Sequence, residues 1–315
     1  MTLSRIVPPP IAPGAGIAMI APASSPTAEQ VAAGVADLEQ GGYRVKVYRP
    51  LSAPVGYLSG TDEVRAAEVM QAFTDNDVSA VFAARGGYGV ARLLDRLDFD
   101  VIRANPKPLV GYSDLTALHA ALDRHARLVS YHAPNAIDGL CGGGKLDPPS
   151  VEAFWQAVAG EGDYLLPTAA AGAELRTVVG GVAEGELVGG NLAVLAGLIG
   201  TPYEPELSGR VLLLEDLDEQ PYRLDRMLAQ LRLTGGLDSL AGVLLGQFTN
   251  CGGPADGTSP SADELLEQYF GGLGVPVLAG FPTGHTVPNL TLPHAGRVRL
   301  DADSQRLTVL RGGHC

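Results

Sequence analysis

The sequence predicts an α/β protein in two parts: a parallel-sheet N-terminal half, then a β-rich, mixed α+β C-terminal half. Three observations carry that expectation. From Gly16 to His132 short apolar runs alternate with helical patterns, the rhythm of βαβ units around a sheet covered on both faces. The rhythm stops near Gly139, in G-L-C-G-G-G-K-L-D-P-P-S, and from about residue 177 the apolar runs are short and bounded by glycines. A chain of 315 residues also passes the length at which one core usually divides.

The N-terminal elements follow in order. G-I-A-M-I-A-P-A reads as a strand, A-E-Q-V-A-A-G-V-A-D-L-E-Q-G-G as a helix closed by glycines, and Y-R-V-K-V-Y as a second strand. T-D-E-V-R-A-A-E-V-M-Q-A-F is helical, V-S-A-V-F-A-A extended, and Y-G-V-A-R-L-L-D-R-L helical again. K-P-L-V-G-Y, the helix pattern D-L-T-A-L-H-A-A-L and the strand R-L-V-S-Y-H finish a domain at residues 1–140, and 141–176 read as a connector with one helix pattern, E-A-F-W-Q-A-V. Residues 177–315 form the second domain. There L-R-T-V-V-G-G-V-A-E-G-E-L-V-G-G-N reads as short strands, N-L-A-V-L-A-G-L-I-G as a helix, and G-R-V-L-L-L-E as a strand. The helix Y-R-L-D-R-M-L-A-Q-L, the strand A-G-V-L-L-G-Q-F-T, the helix S-A-D-E-L-L-E-Q-Y-F and the strand V-P-V-L-A-G-F come next, before a closing pair, G-R-V-R-L-D and R-L-T-V-L-R.

Composition removes several classes of function. A net charge of -13 opposes nucleic acid, whose phosphates need clustered Lys and Arg, and gives no attraction to anionic membranes. Cys141, Cys251 and Cys315 are scattered and lack C-x-x-C spacing, so neither a disulfide framework nor a zinc site is expected. Residues 6–28 carry no charge, but repeated prolines break any apolar helix there, and no other run approaches the roughly 20 residues of a membrane span. A cytoplasmic protein with reduced thiols is expected.

The candidate chemistry lies at strand ends, where sites gather in parallel sheets. In P-L-V-G-Y-S-D-L, Ser113 stands at a strand-to-helix corner, and two readings are open: a helix cap from Ser113 or Asp114, or a nucleophile exposed on a tight turn. A-R-G-G-Y-G offers the bare amides of Gly86, Gly87 and Gly89 as an oxyanion or carboxylate nest, or is simply a tight turn. It lacks the G-x-G-x-x-G spacing of a dinucleotide site. G-L-C-G-G-G-K-L has the glycines and lysine of a phosphate loop but Leu146 in place of the hydroxyl, and no strand and helix flank it closely. Glu215 ends an apolar strand, and Asp216, Asp218 and Glu219 beside it lack the pattern of a calcium loop. Among the histidines, His285 follows a strand in F-P-T-G-H-T and is the first choice for a site. His132 is the second, while His119, His125, His294 and His314 read as packing, turn, loop and tail residues. Ser, Glu and His in these places suit acyl transfer by nucleophile, orienting carboxylate and base.

The ordered set G-Y-L-S-G-T-D-E-V-R, A-R-G-G-Y-G-V-A-R-L-L-D, V-G-Y-S-D-L-T-A-L, E-G-E-L-V-G-G-N-L, L-L-L-E-D-L-D-E-Q-P-Y-R-L-D-R-M-L and P-T-G-H-T resembles the LD-carboxypeptidases, including the microcin C self-immunity peptidases. The resemblance spans nearly the whole chain. It implies a flavodoxin-like N-terminal domain with a smaller β-rich C-terminal domain, and a triad at Ser113, Glu215 and His285. It also implies an oxyanion hole from the amides of Asp114 and Gly87, with Gly86 the alternative. The implied reaction removes the terminal D-alanine from a muropeptide, needs no metal or other cofactor, and takes place in what is often a homodimer. Arg85, Gly86 and Tyr88 are candidate substrate contacts, Arg85 because its guanidinium fork suits a carboxylate. Hydrolysis of an aminoacyl-nucleotide is the rival chemistry, and a peptide- or sugar-binding module without turnover is the rival class. G-Y-S-D departs from G-x-S-x-G, which disfavours a general esterase.

Overall fold

The chain folds around two sheets whose strands are joined by helices, as a computed structural model describes for residues 5–252 and 259–311. His314 and Cys315 lie outside those residues. The first part runs β1 (Gly16–Ile20), α1 (Ala28–Gln40), β2 (Arg44–Lys46), α2 (Asp62–Thr74), β3 (Ala80–Ala83), α3 (Phe99–Ala104), β4 (Leu109–Gly111), α4 (Thr116–Ala121) and β5 (Ser130–His132). After α5 (Pro148–Ala159) come β6 (Tyr164–Leu165), β7 (Arg176–Val179), β8 (Val182–Asn191), α6 (Leu192–Leu198), β9 (Val211–Leu217) and α7 (Pro221–Leu233). β10 (Gly242–Thr249), α8 (Ala262–Phe270), β11 (Val277–Ala279), β12 (Leu292–His294), β13 (Arg297–Asp301) and β14 (Arg306–Leu310) complete the described chain.

Local chemistry accounts for the helix starts. Thr27 and Gln30 form a reciprocal capping box on α1, Ser261 and Glu264 do the same on α8, and α5 and α7 open on proline, whose missing N–H costs nothing there. Two helical patterns come out differently wound. Val90–Arg96 is a 3-10 helix, and the helix after Ser113 begins as a 3-10 turn and ends as a π turn at Leu122–Ala126. Both are short pieces in which i→i+4 bonding has little to propagate.

The first sheet has the order β12-β5-β4-β3-β1-β2, with β1 to β5 parallel in the flavodoxin-like order and β12 antiparallel at the edge. β12 corrects the sequence reading, which placed His294 in a loop. Pro293 weakens the strand pattern, yet proline is tolerated on an edge strand because one side of the strand needs no donors. The second sheet, β6-β14-β13-β8-β9-β10-β11-β7, is parallel through β8 to β11 and antiparallel at both flanks. β7 and β8, consecutive in sequence, lie far apart in that order.

Apolar side chains from both sheets, from α5 and from the loop after β11 pack together, including Phe82, Phe154, Phe281, Leu292 and Leu300. Each such side chain contributes roughly 1.5–3 kcal/mol by leaving water. A buried ionic cluster adds a polar tie, in which Arg5 contacts Asp123 at 2.7 Å and Glu186 at 2.6 Å while Arg210 also pairs with Asp123. The glycine loop near residue 142 embraces the molecule's own carboxylate rather than a phosphate, since Asp37 accepts from the amides of Cys141 at 2.8 Å and Gly143 at 2.5 Å.

Candidate active site

Ser113 follows the carboxyl end of β4, and the backbone there is forced into an uncommon shape. Its φ is +66°, in the left-handed region that a non-glycine residue adopts only when its surroundings demand it. Gly111, two residues earlier, is needed for packing: a Cβ there would stand 2.9 Å from Leu115 Cγ and 3.0 Å from Ala83 Cβ. The corner therefore lifts the hydroxyl above the sheet edge instead of turning it onto the helix.

The cap reading is corrected in a specific way. Neither Ser113 nor Asp114 caps its own helix, whose start has no side-chain cap bond. Asp114 instead accepts from the amide of Val90 at 2.8 Å, at the start of the neighbouring 3-10 helix.

The second sheet supplies the other two side chains. Glu215 lies in β9 opposite Asn191 of β8, with a fully buried carboxylate, and His285 sits on the loop after β11. His285 Nδ1 is 2.7 Å from Glu215 Oε2, and its Nε2 is 3.0 Å from Ser113 Oγ. The loop fits tightly: a Cβ on Gly284 would meet Glu215 Oε2 at 2.6 Å, Thr249 Oγ1 donates to the His285 carbonyl at 2.7 Å, and the Gly284 amide donates to Asn289 Oδ1 at 3.1 Å. The ring of Tyr112 packs at 4.9 Å from the imidazole centroid.

Electrostatics fit a base. Burial on its own pushes the His285 imidazole down, but the hydrogen bond and charge of Glu215, with Asp216 and Asp218 behind it, outweigh burial and hold it above its ordinary value of 6.5. Asp216 is pushed up to about 6 by burial and accepts from the amides of Leu217 and Ala193 and from Asn191 Nδ2, so its oxygens serve the protein rather than an ion.

The R-G-G-Y-G turn follows β3, next to β4, so it borders Ser113. A Cβ on Gly86 would lie 2.8 Å from Ser113 Cβ and 3.1 Å from its Oγ, whereas Gly87 backs onto Ser24. Among the described residues no acceptor pairs with the amides of Gly86, Gly87 or Asp114. Beside the turn lies a cleft of about 490 Å³ lined by Ser24, Ser25, Thr27, Ser52 and Tyr57. Tyr88, 53% exposed, stands edge-on to Tyr57 at its rim, and Arg85 reaches the Ser25 carbonyl at 3.5 Å without an ion pair to any described carboxylate.

The lesser histidine candidates separate cleanly from the site. His132, His119 and His294 are buried, His132 edge-on to Tyr112 and His119 stacked on His294, and burial lowers all three, to about 3 for His132 and about 4 for His119. His119 bonds Ser130 Oγ and the Gly111 carbonyl, which makes it a packing residue under β4. Sequence reasoning missed Ser24 and Thr249, small hydroxyl residues whose roles depend on contacts remote in the chain.

A serine at a strained strand end of a parallel sheet, hydrogen-bonded to a histidine that in turn meets a buried carboxylate from a second mixed sheet, is an arrangement whose geometry could serve as nucleophile, base and orienting group. Comparison with known proteins names the group: residues 17–133 match the LD-carboxypeptidase N-terminal domain and residues 184–300 the LD-carboxypeptidase C-terminal domain. The chain belongs to the LD-carboxypeptidase family, whose members are serine-type hydrolases. It is 36% identical to the probable murein peptide carboxypeptidase of Bacillus subtilis (strain 168), over 95% of this chain and 92% of that protein. Among solved structures, the muramoyltetrapeptide carboxypeptidase from Oxalobacter formigenes superposes with a TM-score of 0.82 at 32% identity, covering 93% of this chain and 97% of that one. The microcin C7 self immunity protein MccF in its wild-type apo state superposes with a TM-score of 0.87 at 26% identity, covering 97% and 98%.

Proposed function

We propose that this chain is a serine carboxypeptidase that hydrolyses an L,D-peptide bond and releases the terminal D-alanine of a murein tetrapeptide. The observation that carries the reading is the continuous hydrogen-bonded line from Ser113 through His285 to Glu215. In this reading Ser113 Oγ attacks the scissile carbonyl and passes its proton to His285 Nε2. Glu215 holds the imidazole in the tautomer that keeps Nε2 free and stabilises the imidazolium that forms. The free amides of Asp114 and of Gly87 or Gly86 receive the developing oxyanion, each such donor being worth about 10²-fold to 10³-fold in rate. His285 then returns the proton to the departing amine, and water, activated by the same imidazole, releases the acyl group.

Arg85 and Tyr88 contact residues that line the cleft, through the Ser25 carbonyl and through Ser24 and Tyr57, while Gly86 lies against Ser113; these three are the substrate contacts of this reading, with the Arg85 guanidinium suited to a substrate carboxylate. The division into a nucleophile-bearing domain at 1–140, a connector at 141–176 and a domain at 177–315 supplying Glu215 and His285 belongs to the same proposal. So do a cytoplasmic location and a homodimer, which follow from the family likeness. Murein peptide is favoured over an aminoacyl-nucleotide because the murein-named relatives are more similar in sequence, at 36% and 34% identity against 28% for MccF.

The test is D-alanine release from a murein tetrapeptide by wild type and Ser113→Ala, with a chelator present throughout. Wild type is expected to release D-alanine and the variant to lose nearly all activity. Equal release by both sinks the assignment, and faster turnover of an aminoacyl-nucleotide moves the substrate to the rival chemistry.

A further inference from the structure

Two amides can stabilise an oxyanion only if their spacing is held, and one of the walls here is a turn made of glycines. Gly87 and Gly89 have φ of +121° and +126°, conformations that glycine adopts freely and that its surroundings must therefore fix. Three contacts do so. Ser24 Oγ accepts from the Tyr88 amide at 3.2 Å, and the buried Arg65 donates to the Gly89 carbonyl at 2.9 Å and to that of Pro22. The third contact comes from Asp114, whose carboxylate takes the Val90 amide at 2.8 Å and is further stabilised by the Gly89 amide.

That third contact starts from the residue next to the nucleophile. We infer that the Asp114 carboxylate is a positioning residue for catalysis, tying the glycine turn to the nucleophile corner so that the two oxyanion walls keep one spacing. This rests on the reading of Ser113 as nucleophile. Burial raises Asp114 to about 6 against the pull of the Val90 amide, Arg65 and the Gly89 amide, so the carboxylate is ionised at neutral pH, and in that form it only accepts hydrogen bonds while the amides at the start of the 3-10 helix only donate. It also explains why an acid is tolerated beside a site that must stabilise negative charge. The charge is turned onto Val90 and lies near Arg65, away from the Asp114 amide that would face the oxyanion. An asparagine in its place would keep the shape, lose the charge and bring a donor toward amides that need an acceptor.

The experiment uses the full chain with Asp114→Asn, a murein tetrapeptide and a peptidyl boronate that adds to Ser113 as a tetrahedral adduct. A displaced oxyanion wall is expected to lower kcat by about 10-fold to 100-fold with KM within about twofold, since misplacement on the order of 1 Å costs that much. Boronate affinity should fall in the same proportion, while substrate affinity measured in the Ser113→Ala background stays the same with and without the second change. A kcat near wild type, or a lowered kcat with unchanged boronate affinity, overturns the inference. If Asp114→Asn does not fold, Val90→Pro removes the donor instead, at a first helical position where proline is accommodated, and the same split is expected. Should Ser113→Ala remain active, the nucleophile reading fails and takes this inference with it; an inactive Ser113→Ala beside a fully active Asp114→Asn overturns this inference alone.

Discussion

Thr116 Oγ1 accepts a hydrogen bond at 3.0 Å from the backbone amide of Asn191, and this seats the helix after Ser113 on the strand paired with Glu215. Both groups are buried, and a Cβ on the adjacent Gly190 would lie only 2.6 Å from the same hydroxyl. The two sheets thus meet through a threonine hydroxyl and a backbone amide, three residues from Ser113.

Replacing that hydroxyl tests the seat. Thr116→Val keeps the shape and leaves the Asn191 amide without its acceptor, which should cost about 1–3 kcal/mol of stability. Urea titration reads that loss, and kcat should fall with it because the distance from Ser113 to His285 depends on the same contact. Unchanged stability would show that the amide finds another partner.

The pH dependence follows from Glu215. In the proposed reaction His285 can serve as a base only when neutral, and its value is raised above 6.5, so kcat/KM of the wild type should climb with pH through a point above 6.5 and be lost as pH falls through it. In Glu215→Gln the raising influence is largely removed and burial dominates. The acid limb should then move to lower pH while the plateau drops by up to about 10⁴-fold. A limb that stays in place would assign the titration to another group.

Gly86 offers a steric test. Gly86→Ala places a methyl against the Ser113 side chain, 2.8 Å from its Cβ. Activity should fall at least about 100-fold through displacement of the reacting group, with only a modest change in melting temperature. Gly197→Ala is the control: α6 presents that position to solvent with nothing near, so it should leave turnover intact and gain about 0.5–1 kcal/mol.

Much of this was legible in the residues. The parallel strands of the first sheet carry unbroken apolar runs bounded by clear breakers; Ser113 follows one of them closely, Glu215 follows the apolar run V-L-L-L of the second sheet, and His285 lies on the loop a few residues beyond V-P-V-L-A-G-F. Their meeting was not legible, because it depends on how a second sheet docks, through pairs such as Thr116 and Asn191 that carry no local signal. The role of Asp114 was misread for a related reason. Its place beside a helix start suggested a local cap, but the amide it takes belongs to Val90, one strand away. Pro293 hid β12 by making an edge strand look like a loop.

That edge strand also sets an order in time. Residues are made from the N-terminus onward, so a growing chain holds Ser113 long before it holds His285, and β5 has no partner on its outer side until Leu292–His294 emerge. Until then an unpaired strand edge is open to any passing extended segment. The closing of that edge and the arrival of the imidazole fall within ten residues of each other, so the nascent protein gains its shelter and its chemistry almost together.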